Sequence, residues 1–316
     1  MIIFIYVVLL FLILRFTVTL FNFLSNPKLG HYGKKYNELV SIIVEGKEGA
    51  LNDLLDKQDY ENVEVIYAVD DITPEKAAGI ATGKYLLFLD ENLVVQKGLI
   101  NSLVYRMKVF DLALLSVVPD KKLHSFKERI FGPLPEFLLI NLLPLRLVRI
   151  LNLSSFSSSN RQCLFFDAVT YREHRWHQVL RERSLGVSKM SRLVKERGLN
   201  TEILLANKLL FNYRPLNTSS FTGETLQHFD ASISGALLYL ILVMVGPLVM
   251  IFNFEFVFLL LPLSLIFLSR LMISFLTTQN ALLNVLLHPV QMAVLSYLLC
   301  KGVFMYFCRI KYFQRK

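Results

Sequence analysis

The sequence predicts an α/β domain with a parallel sheet, held between apolar segments that are long enough to cross a membrane. Apolar residues make up 54% of the 316 residues, above the roughly 45–50% of a soluble domain, and they concentrate at the two ends of the chain. Between those ends, short β-branched apolar runs alternate with segments of helical spacing. This alternation is typical of βα units, whose right-handed crossovers build parallel sheets.

The first apolar segment, Ile2–Leu24, is long enough for a bilayer of ~30 Å, which takes about 20 helical residues. No basic stretch precedes it and no small-residue cleavage site ends it, so we expect an uncleaved anchor and not a signal peptide. Lys28, Lys34 and Lys35 follow directly. By the positive-inside rule the chain therefore starts outside, and the protein is predicted to be integral to the cytoplasmic (inner) membrane with its main domain in the cytoplasm.

The C-terminal region contains two apolar stretches, 233–253 and 255–276, that predict a helical hairpin in the membrane. A third stretch, Ala281–Phe307, is interrupted at His288 and Pro289. Three full spans in this C-terminal region would place the basic tail, residues 309–316, outside the cytoplasm. An even number of spans keeps that tail inside, as the positive-inside rule favours. The number of spans is therefore left open, with a re-entrant or interfacial segment at 277–290 as one solution.

The middle of the chain predicts strands and helices in alternation. Strands are predicted at Leu39–Val44, Val63–Val69, Tyr85–Leu89, Leu112–Val118, Gln162–Phe166, Thr201–Leu205 and Lys208–Tyr213. Helices are predicted at Ala50–Gln58, Glu75–Ala81, Leu93–Val109, Ala168–Arg181 and Val187–Arg197.

Phe126–Leu151 mixes large apolar residues with four Lys or Arg residues and three prolines. It is too interrupted to span a membrane, so we expect interfacial helices, with a buried helix pair as the alternative. The predicted organisation is an anchor, a first half of the α/β domain, a segment of interfacial helices and loop, a second half of the α/β domain and a membrane or re-entrant region. Their bounds are 1–24, 25–120, 121–160, 161–232 and 233–316.

Several classes of site are excluded by composition. The three cysteines form no C-x-x-C pair, and the six histidines form no metal-binding spacing, so a disulfide framework and structural zinc are not expected. The net charge is +9, but the middle domain contains no basic run or aromatic-studded basic stripe. A nucleic-acid partner is therefore not expected, and the membrane is the partner that the positive charge favours.

Acidic residues follow two of the predicted strands. Asp70 and Asp71 end one strand, and Asp90, Glu91 and Asn92 end another. The carboxyl ends of parallel strands meet at one edge of a sheet, where ligands bind. Clustered carboxylates repel each other unless a cation lies between them, and a divalent cation carrying a diphosphate meets that need. The alternative is that these residues cap the helices that follow.

Two blocks carry a resemblance to a known family. Val40–Asp71 reads VSIIVEGKEGALNDLLDKQDYENVEVIYAVDD, and Gly83–Asn92 reads GKYLLFLDEN. They resemble the first strand, the nucleotide-binding V-D-D and the D-x-D segment of the family 2 glycosyltransferases. The branch most similar is the membrane-anchored one that modifies lipids, such as ceramide glucosyltransferase and the carotenoid and hopanoid glycosyltransferases.

The resemblance implies a Rossmann-like nucleotide-diphospho-sugar transferase domain of the GT-A type. Within it, 25–120 would be the nucleotide-sugar-binding half and 161–232 the acceptor-side half. It implies transfer of a sugar, with inversion, from a nucleotide-diphosphate sugar to a lipid acceptor at the cytoplasmic face. By position, Asp70 and Asp71 would contact the base and ribose of the nucleotide. Asp90 would contact the ribose or the metal, and Asn92 would take the metal-ligand place, with Mn²⁺ or Mg²⁺ as the cofactor.

This chain departs from the family pattern at four places. The first strand leads into Glu45-Gly46-Lys47-Glu48, where the family has a P-x-x-N-E turn. Asn92 stands where the family has Asp, and only eighteen residues separate Asp71 from Asp90. The acidic pair that contains the family's catalytic base aligns with Gly186 and Val187, which carry no carboxylate. Glu182, one helical turn earlier, is predicted as a substitute base. Other carboxylates with the same potential are Glu173 and Glu224.

These departures leave other functions open. One is a glycosyltransferase-like membrane protein that has lost catalysis and serves as a binding or scaffold partner. Another is a small transporter or channel component, which the few polar residues in the apolar segments disfavour.

Overall fold

The structure is a computed structural model that describes residues 2–46, 59–69, 72–213 and 233–307. Within it the chain forms two compact units. The helical unit comprises Met1–Asn26, Leu123–Pro144 and Pro215–Lys316, and the sheet unit comprises Pro27–Lys122 and Leu145–Arg214. The predicted helix at Ala50–Gln58 lies outside the described residues.

The helices and strands are numbered here in chain order. The α-helices are α1 (Ile2–Ser25), α2 (Pro74–Ile80), α3 (Leu99–Phe110), α4 (Phe126–Phe131), α5 (Leu134–Leu142), α6 (Leu145–Ile150), α7 (Ala168–His174), α8 (Trp176–Glu182), α9 (Met190–Glu196), α10 (Ile233–Leu240), α11 (Gly246–Asn253), α12 (Phe256–Leu276), α13 (Ala281–Leu286) and α14 (His288–Phe307). The strands are β1 (Val40–Glu45), β2 (Val63–Ala68), β3 (Tyr85–Asp90), β4 (Leu93–Val95), β5 (Leu114–Val118), β6 (Asp120–Lys121), β7 (Cys163–Asp167), β8 (Thr201–Leu205) and β9 (Leu210–Asn212).

The sheet unit is built on a six-stranded sheet in the order β2-β1-β3-β7-β5-β8, with a small second sheet in the order β4-β9-β6. In the large sheet β1 pairs in parallel with β2 and β3, and β5 pairs in parallel with β8. The predicted all-parallel sheet is wrong at one strand, because β7 runs antiparallel to both β3 and β5. A buried apolar strand has the same composition in either direction, so its residues did not reveal this reversal.

Alternate residues of the central strands pack on opposite faces of the large sheet, as the period of two requires. Ile42 and Val44 of β1 belong to the core that also contains apolar residues of α3. Ile43 and Phe88 belong to the opposite core, which contains residues of α2, α7, α8 and α9. The sheet is therefore covered on both faces, which explains why its central strands are almost wholly apolar.

Two predicted helices are divided in the structure. The segment predicted as one helix from Leu93 forms β4 first, and α3 begins only after Gly98, whose φ of +84° is left-handed. Likewise Ala168–Arg181 forms α7 and α8, separated at Arg175 with a φ of +46°. Thr73 caps α2 through its side chain, as predicted, and Pro74 is the first residue of that helix.

The helical unit contains segments of membrane-spanning length. Three helices of the described chain are long and apolar enough to cross a bilayer: Ile2–Ser25, Ser234–Asn253 and Phe256–Leu276. The second of them includes a π-helical stretch at Ile241–Val245, between α10 and α11. The third predicted stretch is divided as expected near Pro289, into α13 and α14.

The predicted fold class, an α/β domain accompanied by membrane-length apolar helices, is confirmed. The segment predicted to lie at the interface is shared between the two units, since α4 and α5 belong to the helical unit and α6 to the sheet unit. α6 belongs to the sheet unit because it packs on β8 of the large sheet.

Candidate active site at the carboxyl edge of the sheet

The carboxyl ends of β2, β1 and β3 lie side by side at one edge of the large sheet. The register aligns Glu45, the last residue of β1, with Ala68 of β2 on one side and with Asp90 of β3 on the other. Edges of this kind are where α/β sheets bind their ligands. The structure therefore brings Asp90 to the edge where the sequence predicted a site, and it adds Glu45 beside it.

A tight turn follows β3 and is organised by the Asp90 carboxylate. Its Oδ1 accepts hydrogen bonds from the backbone N–H of Asn92 (3.0 Å) and from the Asn92 side-chain amide (2.7 Å). The Asp90 N–H donates to the carbonyl oxygen of Gln162, just before β7 (3.0 Å). Asp90 and Asn92, both predicted as metal ligands, are thus adjacent and bonded to each other.

Gly46 lets this turn pack closely against the end of β1. Its φ is +148°, in a region that residues with a side chain rarely adopt. A Cβ at this position would overlap the side chain of Glu91, whose own Cβ would lie 2.5 Å away. The Glu91 N–H donates to the carbonyl oxygen of Glu45 (3.3 Å). The absence of a side chain at Gly46 therefore keeps Glu91 at this edge, next to Glu45 and Asp90.

Negative charge is concentrated at the edge, and one arginine opposes it. Burial raises the pKa of the Glu45 carboxyl above its ordinary value. The charges of Asp90 and Glu75 raise it further, whereas the nearby guanidinium of Arg161 lowers it. Acids are therefore held close together at this edge, and a positive group is favoured between them.

The described residues do not by themselves form a metal site. No group of three or more His, Cys, Asp or Glu residues in this part of the chain is placed to hold a metal ion. One oxygen of Asp90 is already bonded twice to Asn92, and Asn92 contributes no charge. Asp70 and Asp71 lie outside the described residues, so the predicted Mn²⁺ or Mg²⁺ stays a prediction.

An ion pair joins the C-terminal end of α8 to the first turn of α2. Helix α2 comes next after β2 in the chain, so its first turn lies near the carboxyl end of that strand. Arg181 Nη1 lies 3.1 Å from Glu75 Oε1. Glu182 is the next residue, is exposed, and accepts a hydrogen bond from Gln178 (2.8 Å). Glu182 therefore lies at the end of α8 nearest the carboxyl edge.

Glu173 occupies a different end of the sheet unit. It is in α7, which starts at the opposite edge, where the Ala168 N–H donates to the Lys84 carbonyl (3.0 Å). Its side chain is 69% exposed, and its Oε2 lies 4.0 Å from Nε2 of the adjacent His174. Of the two described candidates for the base, position on the sheet therefore favours Glu182. Glu224 lies outside the described residues.

A buried tyrosine–histidine pair lies under the same helices. The Tyr171 hydroxyl and His177 Nδ1 are 2.7 Å apart, and the His177 ring lies 4.7 Å from the ring of Phe88 in β3. Burial lowers the pKa of His177 to about 4, although the charge of Glu75 acts in the opposite direction. At neutral pH this histidine is therefore uncharged and packs as part of the core.

The low pKa of His177 predicts acid sensitivity. A histidine whose folded pKa is below the unfolded value of 6.5 stabilises the fold fully above pH 6.5, and that stability is lost as the pH falls toward 4. We expect about 3 kcal/mol to be lost over this range, at 1.36 kcal/mol per pH unit. Thermal unfolding of wild type and His177→Asn across this range measures it. His177→Asn should lose less stability than the wild type as the pH falls, whereas His174→Asn, at a less buried position, should lose as much as the wild type. The same dependence of unfolding temperature on pH in all three proteins would contradict the prediction.

Sequence reasoning missed two residues of this edge. Glu45 ends an apolar strand and was noted only as a departure from a family turn, and Arg161 lies in a polar loop before β7. The sequence signal available for Glu45 was its position. It is the first charged residue after the buried apolar run of β1, just as Asp90 is the first after the buried apolar run of β3. Arg161 had no such signal, because its approach to Glu45 depends on the reversed direction of β7.

Comparison with known proteins gives only distant similarities. No protein-family model matches the chain, and no curated protein matches it. Among solved structures, the mannosyltransferase PcManGT from Pyrobaculum calidifontis, in complex with GDP-Man and Mn²⁺, is similar with a TM-score of 0.43 and 12% identity, over 97% of this chain and 100% of that one. S. aureus TarS 1–349 is similar with a TM-score of 0.35 and 12% identity, over 87% and 93% of the two chains. Neither similarity is close enough to assign a function to this chain.

Proposed function

We propose that the protein is a membrane glycosyltransferase that moves a sugar from a nucleotide-diphosphate donor to a lipid acceptor, with inversion. The observation that carries this proposal is the register that places Glu45 beside Asp90 at the carboxyl edge, opposite the positive charge of Arg161. Such an edge suits a ligand that combines polar sugar and ribose hydroxyls with a charged diphosphate. The resemblance of Val40–Asp71 and Gly83–Asn92 to family 2 glycosyltransferases supports the same assignment.

The donor is proposed to bind along this edge. Asp70 and Asp71 take the nucleotide base and ribose, as the family resemblance implies, and the carboxylate of Asp90 orders the turn that carries Asn92. Arg161 is the positively charged side chain acting on Glu45, and guanidinium groups match phosphate oxygens in geometry and charge. Arg161 is therefore proposed to contact the donor diphosphate.

The transfer itself is a single displacement. The acceptor hydroxyl oxygen forms a bond to the anomeric carbon of the sugar, while the bond from that carbon to the diphosphate oxygen breaks. The nucleotide diphosphate leaves with the bonding electrons, and the hydroxyl proton passes to a general base. Glu182 is proposed as that base, because it is a solvent-accessible carboxylate at the end of α8 nearest the edge.

A lipid acceptor and a place in the cytoplasmic membrane are proposed from the helical unit. Three of its helices have the length and hydropathy of membrane spans. Lys28, Lys34 and Lys35 follow α1, and by the positive-inside rule they support a cytoplasmic sheet unit. A divalent cation remains part of the proposal, with Asp90 and Asn92 as its expected ligands, and no step above depends on it.

The alternative is a glycosyltransferase-like protein that binds a donor or a partner without transferring sugar. It is favoured by the lack of a carboxylate at Gly186 and Val187, where the family has its base. It is also favoured by the absence of a metal-holding group among the residues that the structure describes.

A transfer assay separates the two functions. Membranes containing the full chain are incubated with radiolabelled UDP-sugars and GDP-sugars and a lipid extract, with and without Mn²⁺, and label is counted in the organic phase. We expect lipid-bound label that falls about a hundredfold or more in Glu182→Gln, in line with the 10²–10⁴-fold contribution of general bases. Glu173→Gln is the matched control and should retain transfer.

A nucleotide-dependent thermal shift completes the test. Glu182→Gln should still be stabilised by the donor nucleotide, since the base does not hold the donor. A shift without transfer in the wild type would support the binding alternative. No transfer and no shift with any nucleotide would overturn the proposed function.

A further inference from the structure

A polar loop, residues 151–162, connects α6 to β7 and ends at the carboxyl edge of the large sheet. Arg161 lies near its end, and the carbonyl oxygen of Gln162 accepts a hydrogen bond from the Asp90 N–H (3.0 Å). Arg161 is exposed, and its charge acts on Glu45. Among the residues that the structure describes, its guanidinium makes no hydrogen bond or ion pair. Arg161 therefore has donors available for a ligand at this edge.

Arg161 is at the centre of a turn that its neighbours close. The side-chain Oδ1 of Asn160 accepts a hydrogen bond from the Gln162 N–H (2.8 Å). This is an Asx turn, in which an asparagine side chain bonds to the backbone two residues further on. Because the Gln162 carbonyl is also bonded to Asp90, the backbone at Arg161 is joined directly to the end of β3.

A buried serine fixes this turn to a second strand. Ser116 lies in the middle of β5, which reads LLSVV, and is 0% exposed. Its Oγ accepts a hydrogen bond from the Asn160 N–H (2.8 Å) and lies 3.4 Å from the Asn160 carbonyl oxygen. A hydroxyl buried in an apolar strand is costly unless it is hydrogen-bonded. Here the partner of that hydroxyl is the turn, so Asn160 is fixed to β5.

The earlier part of the loop is held by α9 and the segment before it. Lys195 of α9 is buried, and its Nζ donates to the carbonyl oxygens of Leu151 (2.8 Å) and Phe156 (2.6 Å). Nearer the turn, the Ser159 hydroxyl donates to the carbonyl oxygen of Val187 (2.8 Å). Side chains of the sheet unit therefore fix the course of the loop from its start to the Asx turn.

We propose that Ser116 and Asn160 are positioning residues, which hold the Arg161 guanidinium where it contacts the diphosphate of the nucleotide-sugar donor. This inference rests on the proposed function and deepens it. A group that is ordered in advance binds more tightly, because less conformational freedom is lost on binding. An arginine on an unanchored loop loses that freedom when the donor binds, whereas the backbone of this turn is already ordered. Ser116 and Asn160 act only through Arg161 and do not themselves touch the donor.

The test is a double-mutant cycle on nucleotide binding, with the purified full chain in nanodiscs of phosphatidylcholine. Dissociation constants for UDP, GDP and dTDP are measured by calorimetric titration. We expect at least one of them to bind the wild type, and Arg161→Gln to weaken that binding about tenfold, the loss expected for one charged hydrogen-bonding group. Ser116→Ala should weaken it about fivefold, as the loss of a neutral hydrogen bond does. In the Arg161→Gln background, Ser116→Ala should have no further effect, because the serine acts through the arginine.

Ser102→Ala is the matched control. Ser102 of α3 is also 0% exposed, but its hydroxyl has no hydrogen-bond partner within the described chain, so its loss should leave nucleotide affinity unchanged. Asn160 is only partly buried and takes the place of Ser116 in the cycle if Ser116→Ala fails to fold. Asn160→Ala should weaken binding, and Asn160→Ser should restore part of it, because a serine hydroxyl forms the same kind of turn.

The inference is overturned if Ser116→Ala and Ser102→Ala bind the nucleotide equally well. It is also overturned if the losses from Ser116→Ala and Arg161→Gln multiply in the double variant, since the serine would then act independently of the arginine. In both cases the wild type still binds the nucleotide, and the proposed function stands. If none of the three nucleotides binds the wild type, the proposed function fails and this inference fails with it.

Discussion

Glu202→Gln is expected to lower the free energy of unfolding of the sheet unit by about 3–5 kcal/mol, the usual cost of removing one partner of a buried ion pair. Glu202 lies on β8, and its side chain is 0% exposed. It accepts from Arg106 at 2.7 Å through both carboxylate oxygens. Arg149 at 3.1 Å and Arg146 at 3.4 Å also contact it. One carboxylate thus joins α3, α6 and β8, and its loss removes the negative charge that three neighbouring guanidiniums contact.

Thermal unfolding in detergent measures this effect, and a decrease in Tm of about 10 °C is expected for a unit of this size. Glu196→Gln is the matched control, since its ion pairs with Arg183 and Arg192 are exposed and such pairs contribute ~0–1 kcal/mol. The double variant Glu202→Gln with Arg106→Met should recover part of the loss, because one unpaired charge is removed. Equal Tm values for Glu202→Gln and Glu196→Gln would refute the prediction.

Asp90→Asn is expected to reduce sugar transfer by about 10²–10³-fold, as the loss of one fixed charge-stabilising group does in other active sites. The substitution keeps the shape of the side chain while removing the negative charge that accepts the two hydrogen bonds from Asn92. The turn after β3 then keeps only a neutral amide oxygen as its acceptor, which binds the two donors more weakly, and the edge loses one of its carboxylates. The assay of lipid-bound label measures transfer, and a nucleotide thermal shift measures donor binding.

The control for this substitution is Asp111→Asn. Asp111 is exposed, has a φ of +46° that asparagine tolerates, and precedes β5 at the opposite edge of the sheet. It should transfer as the wild type does. Asn92→Asp restores the acid that the family has at this place and should raise the response of transfer to Mn²⁺. If Asp90→Asn and Asp111→Asn transfer equally well, the carboxyl edge is not the donor site.

The site was partly predictable because strand ends are visible in a sequence. The apolar runs that became β2 and β3 predicted that the acids after them meet at one edge. The structure places Asp90 at that edge, beside Glu45 of β1, which the sequence did not single out. The roles of Asp70 and Asp71 stay predictions, as does that of Glu182. The short strand β4 was assigned to a helix, because its three apolar residues have no period of their own and the break at Gly98 depends on its left-handed backbone.

The sequence by itself determined where the strands of the large sheet and the apolar helices lie, because burial leaves a local apolar pattern in each of them. Local chemistry also marks the start of α2 at Thr73 and Pro74. Only the tertiary structure decided the reversed direction of β7 and the grouping of three arginines around Glu202. Strand direction and ion pairing depend on contacts between residues far apart in the chain. Such contacts leave no periodic signal in a single sequence, so they become visible only when the segments pack.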